Sequence, residues 1–123
     1  MTTDNKNQKN NPDKSAGVFK VKLIEAALSI PEGKVVTYSA LACAAGGSAI
    51  NARNVTAILM RAAEAGEGGA EHIPFHRIVY AEGRAWAARE YYKPRMALYK
   101  KEGIDVDPKT LKIRNFADVL YEF

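Results

Sequence analysis

Two consecutive glycines, Gly46-Gly47, divide an alanine-rich stretch into a short and a longer helical segment. Thr37 precedes the short segment, which extends through Ala45, and its hydroxyl can accept a hydrogen bond from an unpaired N–H at a helix start. Gly46 suits the left-handed conformation that commonly follows the last turn of a helix. The pattern predicts two helices joined by a tight turn, and no other feature constrains the fold as strongly.

The longer segment follows Ser48, a second potential N-cap, and continues to about Ala65. Its inward-facing positions recur at helical spacing and are Ala52, Val55, Ile58, Leu59 and Ala62. A short helix, a glycine turn and a longer helix are typical of a helix-turn-helix, whose second helix enters a DNA groove. Short helical hairpins also serve purely structural roles, so the pattern alone leaves DNA binding open.

The flanking segments also show helical periodicity. Upstream, one apolar face consists of Phe19, Leu23, Ala26, Ala27 and Ile30. It predicts a helix from near Ala16 that ends at Pro31. Downstream, residues 91–101 carry the stripe Tyr92, Met96 and Tyr99, which predicts another helix with Pro94 in its first turn.

The two ends of the chain differ from this middle part. Residues 1–15 contain no apolar side chain except Met1, so they cannot bury enough surface to offset the entropy of ordering them. We expect a disordered tail at 1–15, one domain at 16–103 and an extension at 104–123 packed on that domain. The extension contains the alternating stretch 111–113, which is consistent with a strand or an irregular segment.

Composition restricts the class of protein. A chain of 123 residues supports one domain, and its net charge of +4 favours polyanions without requiring them. The single Cys43 excludes an intrachain disulfide framework and a cysteine-rich zinc site, and we expect no metal. Because there is neither a signal core nor an apolar run of about eighteen residues, we expect an intracellular protein without membrane association. It would lie in the cytoplasm or nucleoid, or in the nucleus of a eukaryote.

Three motifs occur in a characteristic order. Residues 30–38 read Ile-Pro-Glu-Gly-Lys-Val-Val-Thr-Tyr, Ala-Arg follows at 52–53, and residues 74–77 read Pro-Phe-His-Arg. With the Glu-Gly pair at 102–103, this pattern resembles the O6-alkylguanine-DNA alkyltransferases, whose last motif is Pro-Cys-His-Arg. The resemblance implies an α/β, mainly helical, winged-helix-like domain with a helix-turn-helix, as in the C-terminal DNA-binding domain of that family.

The family's cysteine accepts an alkyl group from damaged guanine, and Phe75 occupies that position here. A phenyl ring has no lone pair with which to attack an alkyl carbon. The chain therefore resembles the alkyltransferase-like proteins, which bind the lesion without repairing it. This implies a non-enzymatic monomer without a cofactor that flips O6-alkylguanine in double-stranded DNA and marks it for nucleotide excision repair proteins.

The resemblance assigns DNA contacts to both helices of the helix-turn-helix. In the family, the arginine at the position of Arg53 fills the gap left by a flipped nucleotide, and the tyrosine at Tyr38 helps to rotate that nucleotide outward. A solvated arginine and a half-buried tyrosine packed on the sheet are the alternatives. The expected DNA-binding residues are Thr37, Tyr38, Ser39, Asn51, Ala52, Arg53 and Asn54.

The resemblance also implies a lesion pocket. Phe75 could stack on an extruded purine, or it could belong to the core. The family's histidine, here His76, acts as a base held by the glutamate at Glu102; without a nucleophile the pair would order the pocket. The expected pocket comprises Tyr38, Phe75, His76, Ile78, Val79, Trp86 and Arg89, supported by Arg77 and Glu102. Arg84 or Arg89 would reach the alkylated base.

The chain departs from the family pattern in two places. Residues 62–72, AAEAGEGGAEH, form a longer expected loop without the family's asparagine, and the Gly-x-Tyr and double-glycine signature is absent around Trp86. Three rival functions stay open: a helix-turn-helix regulator that reads sequence, an active alkyltransferase that uses Cys43, and a structural relict without DNA affinity.

Overall fold

The computed structural model of the protein describes residues 10–123. Helix α1 spans Asn10–Leu28 and begins well before Ala16. An early start is compatible with Pro12, because the first N–H groups of a helix have no intrahelical partner. Residues 10–15 of the predicted disordered tail are therefore helical, which corrects that boundary. Residues 1–9 of the predicted tail lie outside the described residues.

The apolar face of α1 is buried as predicted, with Leu23 and Ala27 fully covered. After the Pro31 turn, strand β1, Val36–Thr37, pairs in parallel with strand β2, Ile78–Val79. The register pairs Val36 with Ile78 and Thr37 with Val79. Because parallel strands end at the same edge of a sheet, the residues that follow β1 and β2 come to lie side by side.

Helix α2, Tyr38–Ala44, begins and ends as the sequence predicts. The hydroxyl of Thr37 accepts a hydrogen bond from the N–H of Ala40 at 3.1 Å. At the other end Gly46 has a φ of +94°, and the N–H of Gly47 bonds to the carbonyl of Ala42 at 3.0 Å. The left-handed Gly46 and the bond from Gly47 to Ala42 belong to a Schellman motif, which ends the helix and turns the chain sharply.

Helix α3, Ala52–Ala65, is preceded by one 3-10 turn over Ala49–Asn51. The side-chain oxygen of Asn51 accepts the N–H of Ser48 at 2.8 Å, which holds this turn in place. The helix buries Val55, Leu59 and Ala62 and ends at the left-handed Gly66. Part of the predicted loop at 62–72 is thus helical, and Glu67–His72 continues as 3-10 turns.

Helix α4, Tyr92–Glu102, follows a 3-10 turn at Arg89–Tyr91 and has Pro94 in its first turn, as predicted. Of the expected stripe, Tyr99 is fully buried and Met96 and Tyr92 are half-buried. The helix ends at Gly103, whose left-handed φ of +76° reverses the chain.

The segment after α4 includes a short helix α5, Phe116–Val119, and bonds to the residue before β1 and to the turn after β2. The N–H of Val35 bonds to the carbonyl of Val119 at 2.9 Å, and the N–H of Ile113 bonds to the carbonyl of Gly83 at 2.9 Å. These contacts close a second apolar cluster, separate from the main core that α1, α2 and α3 enclose. It consists of Val35, Val79, Ala85, Tyr99, Ile104, Val106, Ile113 and Val119.

The predicted fold class, a mainly helical α/β domain built around a helix-turn-helix, is confirmed. Its two-stranded sheet joins the main core to the second cluster, since Ile78 of β2 belongs to one and Val79 to the other. From residue 10 to residue 123, none of the helices combines the length and the apolar character that a membrane span needs.

Candidate nucleic-acid interface

Four hydrogen bonds converge on the carboxylate of Glu102, which is only 4% exposed. Arg77 binds it with two nitrogens, each at 2.9 Å, and the backbone N–H of Gly33 donates at 3.0 Å. The Nε2 atom of His76 lies 2.8 Å from the same carboxylate. A further nitrogen of Arg77 donates to the carbonyl of Ile30 at 2.9 Å. We call Gly33, His76, Arg77 and Glu102 the buried polar cluster.

The cluster determines the charge of its members. Burial would raise the pKa of Glu102, but the hydrogen bonds from Arg77, Gly33 and His76 outweigh it and hold that pKa at about 2. Burial lowers the pKa of His76 below its ordinary 6.5, although Glu102 opposes the shift. At neutral pH a neutral imidazole therefore faces an ionised carboxylate, and its proton lies on Nε2, since only an N–H can donate to Glu102.

Tyr99, one turn before Glu102 on α4, also holds the segment that contains His76 and Arg77. Its hydroxyl donates to the backbone carbonyl of His76 at 2.6 Å, and burial raises its pKa to about 12, so it stays protonated. The 3-10 turn Phe75–Arg77 is thus anchored through both side chains and backbone. This anchoring places the ring of Phe75, the residue before the cluster, against the main core and a cavity.

The cavity lies between α3 and the segment after β2 and has a volume of about 590 Å³. Such a volume lies within the range of small-molecule sites, roughly 300–1,000 Å³. The aromatic residues of its wall are Tyr38, Phe75, Tyr80, Trp86 and Tyr91. The others are Val55, Thr56, Leu59, Met60, Ala63, Glu64, Ile78 and Arg95. Aromatic walls of this kind favour a planar, polarisable group such as a nucleobase.

Two arginines hold these aromatic rings in place. The guanidinium of Arg84 lies 4.3 Å from the centroid of the Tyr80 ring, which in turn lies 5.6 Å from the ring of Tyr38. Arg95 lies 5.1 Å from the Trp86 ring and donates to the Trp86 carbonyl at 3.0 Å. Cation-π contacts of about 0.5–1 kcal/mol each help to fix the rings before any ligand arrives.

The structure brings only some of the expected pocket residues together. Tyr38, Phe75, Ile78 and Trp86 line the cavity, whereas three others do not. His76 belongs to the buried polar cluster behind Phe75, and Val79 packs in the second apolar cluster. Arg89 lies exposed in the 3-10 turn before α4 with a left-handed φ of +53°. Arg77 and Glu102 bond to each other next to the motif, and their role as support for a lesion pocket stays a prediction.

The residues predicted to contact DNA lie around the start of α2 and the start of α3. Arg53 and Asn54 are exposed, while Ser39 and Ala52 are half-buried. Thr37 and Asn51 are also half-buried: the side chain of Thr37 caps α2, and that of Asn51 accepts the N–H of Ser48 in the 3-10 turn before α3. Their role is therefore at least partly structural, and Arg53 is the residue of the set with a long cationic side chain in solvent.

Sequence reasoning missed several cavity residues, of which Tyr80, Tyr91 and Arg95 carry the most chemistry. A signal was present, because the segment 80–95 interleaves four aromatic residues with three arginines. Aromatic and cationic residues in alternation are typical of surfaces that stack nucleobases. The wall contributed by α3 was missed because Met60 and Glu64 read as ordinary exposed helix positions.

Neither a metal site nor a thiol site accompanies the cavity. Across the described part of the chain, no three His, Cys, Asp or Glu side chains lie close enough together to hold a metal ion. Cys43 is exposed on α2 and is not among the residues that line the cavity. Its position gives no support to a transfer reaction that uses this thiol at the cavity.

This fold and this site have counterparts among known proteins. The family model of the 6-O-methylguanine DNA methyltransferase DNA-binding domain matches residues 18–104, and the chain therefore belongs to that family. The resemblance drawn from the motifs is confirmed. The match ends at residue 104. Most of the segment that closes the second apolar cluster therefore lies outside the matched residues.

Among solved structures, S. pombe Atl1 in complex with damaged DNA containing O6-carboxymethylguanine has the same fold. The two chains superpose with a TM-score of 0.65 at 21% identity, over 85% of this chain and 95% of Atl1. No curated protein sequence matches the chain. At this identity the similarity establishes the fold alone.

Proposed function

We propose that the protein recognises DNA damage without repairing it, by binding O6-alkylguanine in duplex DNA with the damaged nucleotide flipped into the aromatic cavity. The supporting observation is the position of Phe75. It lies in the wall of the cavity, directly before a buried polar cluster that retains the family's histidine and glutamate. The scaffold that would position a reactive group is intact, and the residue at that position cannot accept an alkyl group.

The positions of Tyr38 and Arg53 also fit binding and flipping of the damaged nucleotide without a chemical reaction. Tyr38 follows β1 at the cavity wall, and Arg53 is exposed in the first turn of α3. Tyr38 would displace the nucleotide, and Arg53 would fill the vacated stack, which offsets part of the few kcal/mol that flipping costs. Atl1, which shares the fold, was solved on damaged DNA. A flipped base in this cavity would stack between aromatic rings that Arg84 and Arg95 already hold.

A protein that binds a lesion without removing it contributes to repair only if other enzymes recognise the bound site. The family resemblance assigns this later step to nucleotide excision repair proteins, and we propose that a monomer bound to double-stranded DNA is the form they meet. The proposal needs no cofactor, because every step is binding.

The decisive experiment is a titration of three duplexes of identical sequence, carrying guanine, O6-methylguanine or a larger O6-alkylguanine at one position. We expect tighter binding to both lesions than to guanine. After stoichiometric incubation, mass spectrometry should show an unmodified protein and an intact lesion. Alkylation of Cys43 would indicate an enzyme. Equal affinity for all three duplexes would show that the protein does not recognise the lesion. Protection of one undamaged sequence would indicate a regulator.

A further inference from the structure

Ile50 is the most exposed large apolar side chain of residues 17–123, with 76% of its surface in solvent. It belongs to the 3-10 turn Ala49–Asn51 that leads into α3. An isoleucine in water forgoes the stabilisation that its burial would give. The fold therefore gains little from an isoleucine at this position, and a contact outside the chain is the alternative.

The turn that carries Ile50 is held rigidly. The N–H of Ser48 donates to the Asn51 side chain at 2.8 Å, and the N–H of Asn51 donates to the carbonyl of Ser48 at 2.9 Å. Gly47 packs so closely that a β-carbon there would lie 2.8 Å from the ring of Phe19 and 2.6 Å from the Asn51 side chain. The backbone that carries Ile50 is consequently held in place before any ligand binds.

Ile50 shares its surface with Arg53, which stands three positions later and is also exposed. Residues three apart lie on the same side of a helical segment. At a rise of about 1.5–2.0 Å per residue they are separated by roughly 5 Å along the axis. Successive base pairs are about 3.4 Å apart, so the two side chains can reach neighbouring steps of one duplex.

We infer that Ile50 contacts DNA in addition to Tyr38 and Arg53. It would act as an apolar wedge that packs against the deoxyribose wall of the minor groove, beside the base step that Arg53 occupies. Proteins that bend DNA combine arginine with apolar side chains, isoleucine among them, which enter the minor groove and open a base step. This inference rests on the proposed function for the placement of DNA along α3. It adds a contact that needs no lesion, since sugar walls are the same in damaged and undamaged duplexes.

The test compares Ile50→Ala with Val21→Ala, which removes a similarly exposed apolar side chain, 52% exposed, from α1. We expect Ile50→Ala to weaken binding to guanine and O6-methylguanine duplexes alike, by about tenfold, because the lost contact is apolar. The slope of log affinity against log salt should not change, since no phosphate contact is lost. Val21→Ala should bind as the wild type does, and thermal unfolding of both variants should be unaltered.

A third variant, Ile50→Lys, separates an apolar wedge from mere proximity to DNA. The added charge should steepen the salt slope by about one. The bend angle, read from energy transfer between dyes at the duplex ends, should nevertheless fall as it does in Ile50→Ala. Unchanged affinity and bending in Ile50→Ala would overturn the inference and leave Ile50 to a protein partner or a second copy of the chain. If the wild type bound guanine and O6-methylguanine duplexes equally well, the proposed function would be contradicted instead. The Ile50 contact could still be measured in that case, because it is tested on undamaged DNA as well.

Discussion

Arg77 and Arg53 show how differently the same side chain is used in two regions of this molecule. Arg77 is 16% exposed and makes two hydrogen bonds to Glu102 and one to the carbonyl of Ile30. Arg53 is exposed in the first turn of α3, and no ion pair found in residues 10–123 includes it. An arginine whose three side-chain nitrogens each donate a hydrogen bond inside the protein stabilises the fold, whereas one left in solvent is available to DNA.

The difference predicts that stability and DNA binding are separable. The buried polar cluster couples the turn after α1, the motif at 74–77 and the end of α4, and it lies behind the cavity wall. Changes there should lower the free energy of unfolding. Changes on the exposed surface of α3 should alter affinity for DNA and leave that free energy unaltered.

The largest effect is expected from Glu102→Ala. It leaves Arg77 buried without its carboxylate, and breaking a buried ion pair in this way costs about 3–5 kcal/mol. Chemical denaturation should show this loss. Glu82→Ala is the matched control, because Glu82 pairs with Arg84 at 3.2 Å on the exposed surface, where such pairs contribute little to stability. Similar losses in the two variants would remove the distinction between the regions.

Acid should reproduce part of this effect. The pKa of Glu102 is about 2 in the folded protein and 4.5 ordinarily, so its stabilisation is present above pH 4.5 and is lost as pH falls towards 2. It is on the order of 3 kcal/mol. The lowered pKa of His76 acts in the same direction and begins to destabilise the fold as pH falls below 6.5.

Unfolding free energies measured between pH 8 and pH 2 test this behaviour. Glu102→Gln is the control, since an amide does not titrate and the step between pH 4.5 and pH 2 should shrink in that variant. A wild type and a Glu102→Gln variant that lose stability in parallel over this interval would show that other carboxyl groups determine the acid response.

The smallest expected effect comes from Arg53→Ala, and it concerns binding alone. Removing the group that fills the vacated stack should weaken lesion binding by about 1–3 kcal/mol, because unstacking a base costs that order of energy. The free energy of unfolding should not change. Arg61→Ala, an exposed arginine towards the other end of α3, should give a smaller loss that depends on salt. An unaltered preference for the lesion in Arg53→Ala would refute its role in flipping.

The sequence predicted the helix-turn-helix well because local interactions determine it. The Thr37 cap and the Gly46-Gly47 turn depend on hydrogen bonds between residues no more than five positions apart. The family motifs predicted the pairing of His76 with Glu102, which the structure contains. They did not indicate that His76 lies behind the cavity wall.

Boundaries outside these motifs were predicted less well. Helix α1 starts at Asn10, beyond its apolar face, and Pro12 stands in its first turn, where proline is tolerated. The short helix α5 has no periodicity long enough to reveal it, since four residues form barely one turn. The segment Glu67–His72 reads as a loop from its glycines, yet it folds into 3-10 turns that bury Ala70.

By itself the sequence determined the helix-turn-helix, the presence of Phe75 in the motif at 74–77 and the family to which the chain belongs. Those properties depend on residue identity and on short-range spacing. Only the tertiary structure decided which side chains form the cavity, because the parallel pairing of β1 with β2 brings Tyr38 beside Tyr80, and α4 brings Arg95 over Trp86. Contacts between residues far apart in sequence depend on how the elements pack, and no local pattern in the chain encodes that packing.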